Sequence, residues 1–169
     1  MSVKNLITRG LVALADAAGR VQRLQVRLLA GEVKDGVEHL EPYGFTSHPL
    51  PGAEHVTLFP SGDRSHAVTV VVADRRYRLQ GLPAGGVALY DSDGSSVALL
   101  ANGEIDVLAS SRIRLVAPEV VVQGDLQVTG SVLAQGQISD SGGAASMQSM
   151  RDDYNAHRHG GGATTDRPM

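Results

Sequence analysis

Between residues 20 and 100 the chain alternates apolar and polar positions in short runs: "LQVRL" (24–28), "EHVTLFP" (54–60), "HAVTVVVA" (66–73), "GVALYD" (86–91) and "SVALL" (96–100). A period of two places successive side chains on opposite faces, as in a half-buried strand. The runs are separated by clusters that favour turns: "EVKDG", "HPLPGAE", "PSGDRS", "LPAGG" and "DSDGSS". Several short strands at this spacing predict a small β-barrel or sandwich, and about five of them suit a Greek-key barrel of the OB type. Upstream, Leu6, Ile7, Leu11, Val12, Leu14 and Ala15 suit one face of a short helix. Arg9 and Asp16 interrupt the apolar part of this segment, which argues against a secretory signal. The expected layout is a helix or arm over residues 1–18 and a barrel over 19–96.

Beyond residue 97 the pattern changes. Apolar pairs separated by one residue recur at Ile105/Val107, Ile113/Leu115, Val120/Val122 and Leu126/Val128, followed by Val132 and Ile138. The first members step by 8, 7, 6, 6 and 6 residues, and Gly124, Gly130 and Gly136 punctuate the last steps. This is a repeat of short strands, each with one narrow apolar stripe. One chain of this kind cannot enclose a core and leaves backbone groups unpaired. A single-chain solenoid needs coils of about 18 residues or more, and an ordinary small sheet appended to the barrel is a further option. Six-residue steps favour three identical chains intertwined as a triple-stranded β-helix, with Ile, Val and Leu turned toward a shared axis. This trimeric prism is expected over 97–146, with a tip over 147–169.

The tip carries "YNAHRHGGG", with His157 and His159 one residue apart. In extended backbone both imidazoles point to one side. Two ligands are a weak motif in a monomer, but three chains meeting on an axis bring six imidazoles together, enough for octahedral coordination. Six-coordination fits iron or nickel better than the usual tetrahedron of zinc. The competing reading is an exposed tail with chance histidines. His39, His48, His55 and His66 are scattered, show no ligand spacing, and read as surface or turn residues.

Composition narrows the functional classes. The formal net charge is -3, and the chain has no cysteine or tryptophan, four tyrosines and two phenylalanines. No basic stripe marks a nucleic-acid binder, and disulfides, thiolate metal sites and cysteine nucleophiles are excluded. No apolar run approaches the roughly 18 residues of a membrane-spanning helix. An OB-type binding module for oligonucleotide or sugar is the rival function. Tyr43 and Phe45 are the close aromatic pair it would use, but they sit in "PYGFTS" beside turn residues, where packing is the expected role. "DRRYR" (74–78) is one basic patch, suited to a protein contact. Catalysis is not expected. Asp152 and Asp153 are adjacent and offer no cleft between two carboxyl groups about 5–9.5 Å apart. Asp91 and Asp93 read as turn residues, and no "GxSxG", "HExxH" or phosphate-cradling loop occurs.

The stretch "VEHLEPYGFTSHPLPGAE" (37–54), with "DRRYR", "GGVALYD" (85–91) and the terminal "YNAHRH" (154–159), resembles the phage baseplate assembly protein V family, in its phage Mu-like branch. The resemblance runs from about residue 5 to the end. It implies a homotrimeric central spike of a contractile tail that pierces the bacterial outer membrane, assembled in the host cytoplasm and carried in the virion's baseplate. It implies an OB-fold domain seated on tail hub proteins, and a triple-stranded β-helix whose paired histidines hold one iron ion per trimer. That carry-over falls on His157 and His159. Gly160, Gly161 and Gly162 depart from the more varied residues expected after the motif.

Overall fold

The computed structural model describes residues 6–157, and the chain divides into two compact units, up to Arg114 and from Leu115 onward. In the first unit, β1 (Ile7–Asp16), β2 (Gln22–Arg27), β3 (Val33–His39), β4 (Glu54–Leu58) and β5 (Val68–Ala73) close into a barrel of order β1-β2-β3-β5-β4. β4 pairs back to β1, and all contacts are antiparallel except β3–β5, where Glu38 lies opposite Val68 and His39 opposite Thr69. The interior is filled by Val12, Leu24, Val26, Leu28, Val37, Ala53, Phe59 and Ala67. Closure leaves no free sheet edge in this part of the chain.

Two expectations are corrected here. The segment expected to be a helix is strand β1. Its register on β2 slips between Val12 and Leu14, so the inward positions Thr8, Gly10 and Val12 are followed by Ala15 rather than Leu14. Ile7, Leu11 and Leu14 therefore all lie outside, at a spacing that imitates one face of a helix. The second correction concerns β3, which runs through "VKDG", read above as a turn. Asp35 and Gly36 stand against the single residue Gln25, as the pairings Val26–Lys34 and Leu24–Val37 show. Gly36 adopts φ +64°, which accommodates this bulge.

The runs at 87–90 and 96–99 are strands, but not barrel strands. β6 (Val87–Tyr90), β7 (Ser96–Leu99) and β8 (Ile105–Leu108) form a separate antiparallel sheet of order β6-β7-β8.

In the second unit, the repeat residues Leu115, Val120, Val122, Leu126, Val128 and Val132 are exposed and belong to no strand. A minimal hairpin, β9 (Ser139–Asp140) with β10 (Ala145–Ser146), leads into α1 (Met147–Ala156). Ser146 caps α1: its Oγ accepts from Ser149 N–H at 3.1 Å, while its own N–H donates to Ser149 Oγ at 2.9 Å. This reciprocal box satisfies two of the donors that a helix start leaves unpaired. No described helix is long and apolar enough to cross a membrane.

Candidate functional site

The described part of the tip motif is His157, at the C-terminal end of α1. Its backbone N–H donates to the Asp153 carbonyl at 3.0 Å, and its ring packs against Tyr154 with centroids 5.2 Å apart. Nδ1–H donates to the Tyr154 carbonyl. A ring so held carries its lone pair on Nε2, the arrangement a metal-ligating histidine needs. At His157 the backbone leaves the helix in an extended conformation, with φ -66° and ψ 146°. His159 itself, with Arg158 and the glycines after it, lies outside the described residues. Among the described residues no three His, Asp or Glu side chains converge. The half of the motif that is described fits a metal ligand in its tautomer.

Two of the four scattered histidines differ from their expected surface placement: His55 is 1% exposed and His39 7%, whereas His48 and His66 are exposed as expected. His55, on β4, shares a 2.8 Å hydrogen bond with Thr57 Oγ1, which shares another of 2.8 Å with the buried Thr69 Oγ1. Its Nε2 faces the Arg27 carbonyl without a hydrogen bond of good geometry. Burial holds the imidazole below its ordinary range, with the Arg27 carbonyl opposing. His39, on β3, donates from Nδ1 to Gln22 Oε1 at 2.9 Å, and Gln22 Nε2 donates to the Ser47 carbonyl at 2.6 Å. This relay ties the loop after β3 to the barrel wall. Burial lowers the His39 pKa, and nearby Glu41 opposes the shift. Alternating "HVT" and "EH" runs place both histidines at inward positions once β3 and β4 are known as strands.

The loop itself is a third finding. Tyr43 and Phe45 are exposed rather than packed. They stand near Glu41, whose carboxylate accepts from Ser47 N–H at 2.6 Å and from Thr46 Oγ1 at 3.0 Å. Aromatics beside a carboxylate do not make the basic stacking groove of a single-strand binder. Two carboxylates partly offset the basic patch. Arg76 Nε donates to Asp74 at 2.9 Å, and Glu54 is shared between Arg9, at 2.8 Å, and Arg75. Hydrogen bonds from Arg75 lead the effects that hold the Glu54 carboxyl below its usual range. Asp91 behaves as expected: its Oδ1 accepts from the N–H groups of Asp93 and Ser95, both at 2.9 Å, closing a turn.

Residues 9–76, which span the closed barrel, match the family described as "Bacteriophage Mu Gp45, N-terminal". Over nearly its whole length, the chain is 31% identical across 174 aligned residues to the "Baseplate puncturing device gp45" of Escherichia phage Mu, an alignment covering 96% of this chain and 88% of that protein. The chain belongs to the Mu Gp45 family. A second relative, the "Mu-like prophage FluMu protein gp45" of Haemophilus influenzae, is 41% identical over 99 residues, covering 59% of this chain and 54% of its own length. The resemblance seen in residues 37–54 falls inside the region that matches the Gp45 family, and "DRRYR" straddles its end.

Proposed function

We propose that this chain is the central spike of a contractile-tail baseplate, a virion component that pierces the host outer membrane as a homotrimer. The observation that carries the reading is the length of the likeness to the baseplate puncturing device of phage Mu. It covers 96% of the chain, so it takes in the apolar repeat and the tail as well as the barrel. The barrel, whose strand order with one parallel β3–β5 contact suits an OB type, is the part that seats on tail hub proteins. The repeat from Ile105 to Ile138 becomes a triple-stranded β-helix. Its support is physical: the exposed Val122, Leu126 and Val128 lie in backbone with no strand partner among the described residues, a condition that other copies would relieve.

The tip ties the three chains together. His157 and His159 of each chain would hold one iron ion per trimer, with nickel or zinc as the alternative. The metal would supply cross-linking of the ends rather than chemistry. The role is structural and not enzymatic. Asp91 is committed to its turn, and Asp152 accepts from Gln148 along α1 at 2.9 Å. Two measurements test the proposal. Light scattering of untagged protein should give the mass of three chains, and elemental analysis should give close to one metal ion per three chains. A monomeric mass would overturn the spike reading, and a metal-free trimer would reduce His157 to a packing residue.

A further inference from the structure

The shifted phase of β1 leaves apolar side chains on the outside of the barrel. Ile7 lies opposite Leu58 and Arg9 opposite Val56 on β4, and Val56 lies opposite Val71 on β5. On the other side Leu11 lies opposite Arg27 and Leu14 opposite Gln25. Cross-strand partners share a face, so Ile7, Leu11, Leu14, Val56, Leu58 and Val71 share one outer wall. None of the six belongs to the core, and Ile7, Leu11, Leu14 and Val71 are between 47% and 56% exposed. Three guanidiniums stand in or beside the wall. Arg9 and Arg75 share the Glu54 carboxylate, and Arg27 makes no ion pair among the described residues. Arg23, farther along β2, stands opposite Asp16 and Glu38. The wall thus sets three positive charges against one negative, on a chain whose formal net charge is -3.

We infer that this wall is where the barrel seats on the tail hub, and that the hub surface it fits has an apolar centre with carboxylates around it. The inference rests on the hub-seated spike proposed above and adds to it the wall and the chemistry of the partner. An exposed apolar patch edged by charge is the build of a protein contact. Charge selects the occupant. A second copy meeting this wall face to face would oppose guanidinium to guanidinium, which disfavours that pairing. A carboxylate held between two guanidiniums is already the arrangement at Glu54. Arg27 offers the same planar fork to an acid from outside. No Tyr or Phe stands in β1, β2, β4 or β5, so the wall has no ring on which a nucleic-acid base would stack.

Binding of the full chain to the purified hub protein of the same tail, read by interferometry, tests this. Leu11→Asp and Arg27→Glu should each weaken binding about tenfold or more. Their thermal midpoints should stay close to the parent's, because both side chains point out of the barrel. Tyr43→Ala, in the loop after β3, should bind as the parent does. Raising sodium chloride from about 50 to about 500 mM should weaken the parent more than Arg27→Glu. If Leu11→Asp and Arg27→Glu bind like the parent while Tyr43→Ala does not, another face seats the hub. The inference then falls and the spike reading stands. Loss through Leu11→Asp alone, with no response to salt, overturns the acidic partner. A Leu11→Asp chain whose solution mass falls from three chains to one gives the wall to a second copy and overturns the inference. Binding of the parent, but not of Leu11→Asp, to phosphatidylglycerol vesicles gives it to a membrane and does the same. A parent that does not bind the hub at all removes the inference and the hub-seated reading together.

Discussion

Gly10 shows how tightly single positions are constrained in the barrel. A Cβ built there would lie 1.8 Å from the Arg27 carbonyl oxygen and 2.7 Å from His55 Nε2. The first obstacle is backbone and cannot swing aside, so β1 and β2 would have to separate. Gly10→Ala should destabilise the barrel by on the order of 3 kcal/mol, read as a lower midpoint in urea unfolding, while Gly44→Ala, exposed in the loop, should leave the Glu54–Arg9 and core contacts untouched and cost less. The buried histidines give the barrel a direction in pH. His39 and His55 both have pKa values lowered from 6.5 by burial, so the unfolded chain takes up protons first as pH falls. Their contribution to stability is full above about 6.5 and is lost as pH drops toward their folded-state values. Thermal unfolding between pH 8 and pH 5 should show a falling midpoint, and His55→Gln should flatten part of that fall. A midpoint rising on acidification would contradict the neutral, buried state of these rings.

At the scale of elements, the barrel was legible wherever alternation ran unbroken, as in β2, β4 and β5. It was obscured where a bulge changed the phase. In β1 the slip near Ala13 put Ile7, Leu11 and Leu14 at helical spacing, and in β3 the Asp35–Gly36 bulge carried the residues of a turn. The strands β6 and β7 were visible as strands, but nothing in "GVALYD" or "SVALL" says which sheet they join. Partner choice depends on long-range register, which a local pattern does not hold. The helix α1 went unpredicted although its cap was present in the sequence as Ser146 and Ser149; the serine at the third position lacks the glutamate or glutamine that usually signals the box. Ser146→Ala should weaken α1 by about 1 kcal/mol. Because α1 positions His157, faster proteolysis after residue 146 should follow, measured by limited digestion. In the repeat, Val122→Asp or Val128→Asp would bring three carboxylates together in an apolar interior, where their charge is heavily penalised. Either change should yield monomers by light scattering; normal trimers would mean that these side chains face water.

For the whole molecule, the two units invite different treatment. The barrel is closed, carries its own core and pairs every one of its five strands within one chain, so it needs no partner to fold. From Leu115 to Val132 the repeat has exposed apolar residues and no strand partner among the described residues, so in the proposed trimer its stability would be a property of the assembly and would depend on protomer concentration. A fragment ending near residue 80 should therefore remain a folded monomer, with a melting temperature that does not change on dilution. The tip is predicted to behave differently again. If the repeats hold the three chains together, His157→Ala combined with His159→Ala should abolish metal binding yet leave the solution mass at three chains. The change should appear at the apex alone, as quicker cleavage beyond α1 in limited proteolysis. Dissociation of the double variant into single chains would instead make the metal the main tie between protomers, and the apolar stripe from Ile105 to Ile138 would need another role.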